Sequence, residues 1–277
     1  MPAVLDGTNG LTFNDNTRMG SAQFSNRLIN PNFLINQRAA TGTVVLAAGA
    51  YGLDRWKAGA SGCTFTFAVS ANVTTLTISA GTLMQVIEGT NLQSGVHVLS
   101  WTGSALGRID AGSYSASGVT GTASGGTNQT IEFAAGTLVM PRYNQGAASS
   151  VQFLPVGLEL ALCQRYYWRN NYANGAYIAN LQAFQPTNVF GVIAYPPVPM
   201  RTVPTSVGRS ALNTFMLFAA TGTPDSVVTT FSIAMLDANG PIFSGNILKT
   251  GASLVAGDAS VLSATGGATF IEATAEL

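Results

Sequence analysis

The chain has 277 residues, with twelve basic and twelve acidic side chains that cancel to a formal charge of zero, one histidine and two cysteines. Charged residues make up 9% of the chain and hydrophobic residues 47%, where an ordinary soluble domain carries about 25% charged. This balance argues against nucleic acid, which needs a positive field to release counterions, and it predicts an exterior covered by an obligate assembly, whose interfaces resemble a domain core cut in half.

No apolar run approaches the ~18 residues that a membrane span requires, so no membrane insertion is expected. The start, Met1-Pro2-Ala3-Val4-Leu5 leading into Asp6-Gly7, has neither the basic nor the apolar region of an export signal, which predicts synthesis in a cytoplasm without export by the general route. Residues 1–27 hold polar turn material from Asp6 to Thr17 with two isolated apolar anchors. Such a segment cannot bury a core alone and reads as an extended arm.

From residue 28 onward the pattern is of short strands with period two. Cys63–Val69, Val73–Ile78 and Gly95–Trp101 alternate apolar with polar residues, and further strands are expected at Ala105–Ile109, Thr130–Phe133, Thr137–Met140, Val189–Tyr195, Thr214–Ala219, Val227–Met235 and Ala268–Ala273. Regular spacing of this kind marks sandwiches and barrels. One helix is expected, over Leu158–Arg169, twelve helix-forming residues without Gly or Pro. The polar cluster Asn170-Asn171-Tyr172-Ala173-Asn174-Gly175 after it is where a domain boundary is placed. The fold class is therefore all-β: an arm at 1–27, a sandwich at 28–170 and a smaller β domain at 171–277. Asn174-Gly175 and Asp237-Ala238-Asn239-Gly240 read as hairpins with glycine at positive φ, and Pro196-Pro197-Val198-Pro199 as a rigid connection between strands.

Five segments in order carry a resemblance: Leu28-Ile29-Asn30-Pro31-Asn32-Phe33-Leu34-Ile35-Asn36-Gln37-Arg38 followed by Tyr51-Gly52-Leu53-Asp54-Arg55-Trp56; Gln85-Val86-Ile87-Glu88-Gly89 with Leu99-Ser100-Trp101-Thr102-Gly103; Glu159 to Tyr167; Val198 to Thr205; and the chain end Thr274-Ala275-Glu276-Leu277. As an ordered set they resemble tail fibres and related virion proteins of tailed bacteriophages. The resemblance implies that the 28–170 domain is a jelly roll similar to carbohydrate-binding modules, that three copies assemble, and that the trimer sits in the virion tail and recognises the host surface, a glycan being the expected receptor. The arm at 1–27 is then expected to dock on other tail or baseplate proteins. No catalytic residue travels with these segments.

The residues themselves support binding over chemistry. Nucleophilic catalysis wants a base beside the nucleophile, and the single histidine, His97, stands in an apolar run where packing is the expected role; no G-x-S-x-G occurs. Paired carboxylates for glycoside cleavage would come from Asp54, Glu88, Asp110 or Glu132, but Asp54 beside Arg55 and Asp110 beside Arg108 are expected to be ion-paired, which spoils a general acid. No catalytic residue is assigned. Cys63 and Cys163, 100 residues apart without a CxxC, predict no zinc site and read as buried free thiols. Asn14-Asp15-Asn16 lacks the calcium-loop spacing, so no metal or cofactor is expected. Sugar contact would use exposed aromatic faces. Trp56 and Trp101 sit in strand patterns and are expected in the core, whereas Tyr172, Tyr177 and Tyr195 lie near turns and are the candidate ligand-binding residues. Two rival readings stand beside the tail fibre: a capsid decoration, head fibre or tail adaptor without a receptor, and a small polysaccharide depolymerase.

Overall fold

The computed structural model describes residues 4–6, 10–12, 18–19, 26–146, 148, 153–185, 188–219, 224–249, 254–266 and 268–277. They form an all-β chain that divides into two compact units, Met1–Val156 and Gly157–Leu277. The division falls at the first residue of the helix, whereas the polar cluster at 170–175 had placed it after. The helix exit is hydrogen-bonded to the chain's last residues, and this ties it to the second unit.

In unit 1 the arm is not wholly extended, because β1 (Val4–Asp6), β2 (Gly10–Thr12) and β3 (Arg18–Met19) form a small antiparallel meander. The predicted motif Asn14-Asp15-Asn16 lies outside the described residues. The sandwich-like body is built from β4 (Val44–Leu46), β5 (Tyr51–Leu53), β6 (Trp56–Ser70), β7 (Val73–Ile87), β8 (Gly95–Thr102), β9 (Gly107–Ile109), β10 (Val119–Ala123), β11 (Gln129–Phe133) and β12 (Gly136–Gln145). All pairings are antiparallel, with β10-β8-β12-β7-β11-β9 in order and β6 joining β7 to β4 and β5. Two of the expected short strands are parts of the fifteen-residue β6 and β7. In β12 the register shifts between Val139 and Arg142, where Met140 takes φ 47°. The strand can therefore pair β7 with one half and β8 with the other, as a bulge allows.

The core of unit 1 is aromatic. Trp56 is fully buried, 5.0 Å from Phe33 and 6.2 Å from Phe133 between ring centres, and Trp101 meets Phe133 edge-on at 5.1 Å. Both indole N–H groups are satisfied, donating to the carbonyls of Asn30 and Ala105, which removes the cost of burying them. The two tryptophans are core residues, as their strand patterns indicated.

Cys63 and Cys163 are buried, neither of them in a disulfide. Burial pushes the Cys63 thiol up from 9.0 to about 11, because a thiolate loses its hydration there. The folded state holds the proton more tightly than the unfolded chain, so this contribution is complete below pH 9 and is lost as pH rises toward 11. Burial raises the Tyr143 phenol in the same direction. Urea unfolding of unit 1 followed by tryptophan fluorescence is expected to show a midpoint that falls above about pH 9, with Cys63→Ala flattening the decline and costing on the order of 1–2 kcal/mol less between neutral pH and pH 11.

Unit 2 opens with α1 (Val156–Gln164), shorter than the expected helix, because Tyr167-Trp168 leave it for β13 (Tyr167–Tyr172). Buried aromatic residues fit a pleated strand better than a helix end, and β13 pairs along its whole length with the last strand. The rest comprises β14 (Tyr177–Gln185), β15 (Asn188–Ala194), β16 (Ser206–Arg209), β17 (Phe215–Ala219), β18 (Pro224–Met235), β19 (Ile242–Lys249), β20 (Ala259–Ala264) and β21 (Thr269–Thr274). Six strands close an antiparallel barrel in the order β14-β15-β19-β18-β17-β20, and β13-β21-β16 form a separate sheet. Asp237–Gly240 connects the paired β18 and β19 as a hairpin, with Asp237 Oδ1 accepting from the Asn239 N–H at 2.8 Å. Asn174-Gly175 is a turn, with Gly175 at φ 81°, but it is not a hairpin: β13 pairs with β21, and β14 with β15 and β20. The proline run lies between β15 and β16, as expected of a connection.

Candidate binding surface

The segments that carry the resemblance converge on two structural clasps. In unit 1 the Asn30 side chain donates to the carbonyls of Ile35 and Asp54 and accepts the Ile35 N–H. Asp54 accepts the Gln37 N–H and its amide, both at 2.7 Å. Gln85 exchanges two hydrogen bonds with the Ile29 backbone, and Arg55 donates to the Val86 carbonyl. Asn30, Asp54, Arg55 and Gln85 are buried, and together with the half-buried Gln37 they bolt the 28–37 loop to β5, β6 and β7. In unit 2 the Arg165 carbonyl accepts the Arg201 N–H, the Tyr166 carbonyl accepts the Ala275 N–H, and Arg201 Nε donates to the Ala275 carbonyl. The helix exit, the proline-flanked segment and the chain end are thus one knot. What these segments do is hold the fold, because buried backbone groups need partners.

The groups weighed for chemistry are also committed elsewhere. His97 is fully buried, stacked on Tyr143 at 5.0 Å, with Nδ1 3.1 Å from the Gly95 carbonyl, and its Nε2 meets no hydrogen-bonding partner among the described residues. Asp110 is not paired with Arg108 as its neighbourhood suggested. Its carboxylate accepts the Thr130 N–H and the Gln129 amide. Arg108 reaches instead across the β9–β11 register to Glu132, donating from Nε at 2.8 Å. Glu132 also accepts from the Thr82 hydroxyl, and the Tyr114 ring lies 4.5 Å from the Arg108 guanidinium carbon. The hydrogen bond to Glu132 raises the Arg108 pKa further. Among the described residues no cluster of three or more His, Cys, Asp or Glu is placed to hold a metal ion, and no helix is long and apolar enough to cross a membrane.

Among the described residues the exposed aromatic side chains, apart from Phe153 in unit 1, lie on or beside the barrel strands. Alternation along β14 and β15 sends Leu181, Ala183, Val189 and Ile193 into the barrel core and leaves Phe184 68% and Phe190 51% exposed. Gln182 opposes Phe190 in the register, so both phenylalanines belong to the outer face of this hairpin. Tyr177 begins β14 and Tyr195 follows β15, at the end away from the connection between them, with 76% and 66% of their surface exposed. Tyr177 also meets Phe218 edge-on at 6.4 Å. Tyr172 departs from expectation: it ends β13 half-buried against the barrel core, and burial raises its pKa. The two phenylalanines were missed as candidates, although the signal was present, since Val189 pointing inward forces its neighbour Phe190 outward.

Neither a scan against protein-family models, nor a search of curated proteins, nor a search of solved structures returns a match for this chain.

Proposed function

We propose that the chain is a tail-fibre protein of a tailed bacteriophage, a homotrimer in the virion tail that binds the host cell surface through a glycan and performs no chemistry. In this reading unit 1 is a jelly-roll-type sandwich, residues 1–27 dock on tail or baseplate proteins, and the unit 2 barrel is the tip. The observation that carries it is the aromatic outer face of β14 and β15, with Tyr177, Phe184, Phe190 and Tyr195 exposed on a chain with only 9% charged residues. Flat aromatic surface packs on the C–H faces of sugar rings, and three weak tips on one axis gain from effective concentration once the first has bound. The ordered resemblance of the five segments supports the virion setting.

Adhesion of the purified, labelled protein to host cells tests this. Binding is expected to be saturable and abolished by periodate oxidation of the cells. Tyr177→Ala with Tyr195→Ala is expected to weaken it at least fivefold, since each aromatic contact is worth about 1 kcal/mol. Periodate-insensitive binding would remove the glycan, unchanged binding by the double variant would remove the barrel face, and release of soluble saccharide would replace adhesion with depolymerisation.

A further inference from the structure

A cleft of about 300 Å³ opens in unit 1 between the end of β9, strand β10 and the start of β11, at the lower end of the range for small-ligand sites. We infer that this cleft is a saccharide subsite for a neutral, hydroxyl-rich ring, separate from the barrel face and independent of it. Its centre is the Asp110 carboxylate. One oxygen accepts the Thr130 N–H at 2.8 Å and the other the Gln129 amide at 3.1 Å. A carboxylate offers about four acceptor positions, so both oxygens retain capacity toward the cleft.

The site is built from behind. Gln129, only 4% exposed, is fixed by the Tyr143 hydroxyl donating to its Oε1 and by its own donation to the Thr122 carbonyl; Tyr143 in turn stacks on the buried His97. Asp110 itself sits at φ 49°, a left-handed backbone that Asp tolerates better than most residues. The carboxylate is thus held in one orientation before any ligand arrives, the condition under which hydrogen bonds contribute most to affinity. Gly121 packs directly on Ile109, since a Cβ there would come within 2.9 Å of the Ile109 side chain.

The lining decides the ligand. Ser113, Thr120 and Thr122 also line the cleft, and no lysine or arginine does. An anion has no counter-charge there, whereas adjacent hydroxyls of a pyranose can donate to both oxygens of one carboxylate. Without an aromatic platform in the lining, affinity per site is weak and gains from repetition.

Saturation-transfer difference NMR on the full chain tests this with the methyl glycosides of glucose, galactose and mannose, and with that of N-acetylneuraminic acid as the anionic control. At least one neutral glycoside is expected to give signal and the anionic one none. Measured in a Tyr177→Ala/Tyr195→Ala background that removes the barrel-face contacts, signal should persist, vanish on adding Thr120→Trp, which fills the cleft from an exposed strand position, and fall at least fivefold on adding Asp110→Asn. Silence from all three neutral glycosides, or signal that survives Thr120→Trp, would overturn the subsite and leave the barrel-face reading untouched. Signal given by the unsubstituted chain but lost in that background would assign it to the barrel face and overturn the subsite.

Discussion

Asn30→Ala is expected to destabilise unit 1 by about 3–5 kcal/mol, one of the largest effects of any polar substitution in the chain. The side chain makes three hydrogen bonds to backbone groups of Ile35 and Asp54 and is 1% exposed. Alanine would leave a buried N–H and two carbonyls without those partners, each costing about 1 kcal/mol or more. The residue also has φ 56°, where a Cβ without a compensating polar side chain costs about another 1–2 kcal/mol. Its carbonyl receives the Trp56 indole N–H, so any shift of the loop reaches the centre of the core. Denaturant titration reports the loss, and Asn30→Gly separates the two contributions: it relieves the backbone strain but not the missing hydrogen bonds, and should recover about 1 kcal/mol of the Ala deficit.

Gly81→Val is expected to abolish folding of unit 1. Gly81 has φ 69°, and a Cβ there would lie 2.1 Å from the carbonyl oxygen of Gly62, which has φ 79° itself. The obstacle is backbone, so it cannot swing aside as a side chain would. The two glycines mark the register shift of the β6–β7 ladder between Ala58 and Cys63. Below the shift, Leu83 to Ile87 of β7 pair with β11; above it, Leu76 to Ile78 pair with β12. Forcing the strands apart at this point detaches both neighbours. A loss above about 4 kcal/mol, exceptional for a point substitution, should appear as insoluble or protease-sensitive protein. Gly42→Ala is the control: φ is 62° but nothing stands within 4 Å of a Cβ, so the cost should be only about 1 kcal/mol.

These same residues show what was legible in the sequence. Strand alternation in Cys63–Val69, Gly95–Trp101 and Val227–Met235 marked real strands because each has one face in a core and one in solvent. The expected strands Cys63–Val69 and Val73–Ile78 were too short, because the structure carries β6 and β7 on past Gly62 and Gly81 through a register shift. The helix was expected to start two residues late, at Leu158 instead of Val156, and to run too far at its end, because intrinsic propensity along Arg165–Arg169 yields to the pairing of Tyr167 and Trp168 with β21. Barrel closure was not readable: β14 meets β20 across a separation of about 80 residues in the chain, and nothing local encodes that pairing. The polar residues of the opening loop, Asn30, Gln37 and Asp54, have the composition of a binding site but spend their hydrogen bonds inside the fold. The surface residues Tyr177 and Tyr195 were legible from their turns, while Phe184 and Phe190 were passed over although the alternation about Val189 already turns Phe190 outward.

An exterior with so little charge and so many exposed aromatic side chains is stable in water when copies of the chain cover much of it. The native mass of the full chain at micromolar concentration tests this most directly. The expected particle is three times the 28.6 kDa chain, and it should dissociate only in denaturant, together with unfolding. A folded, soluble single chain that persists on dilution would contradict the account.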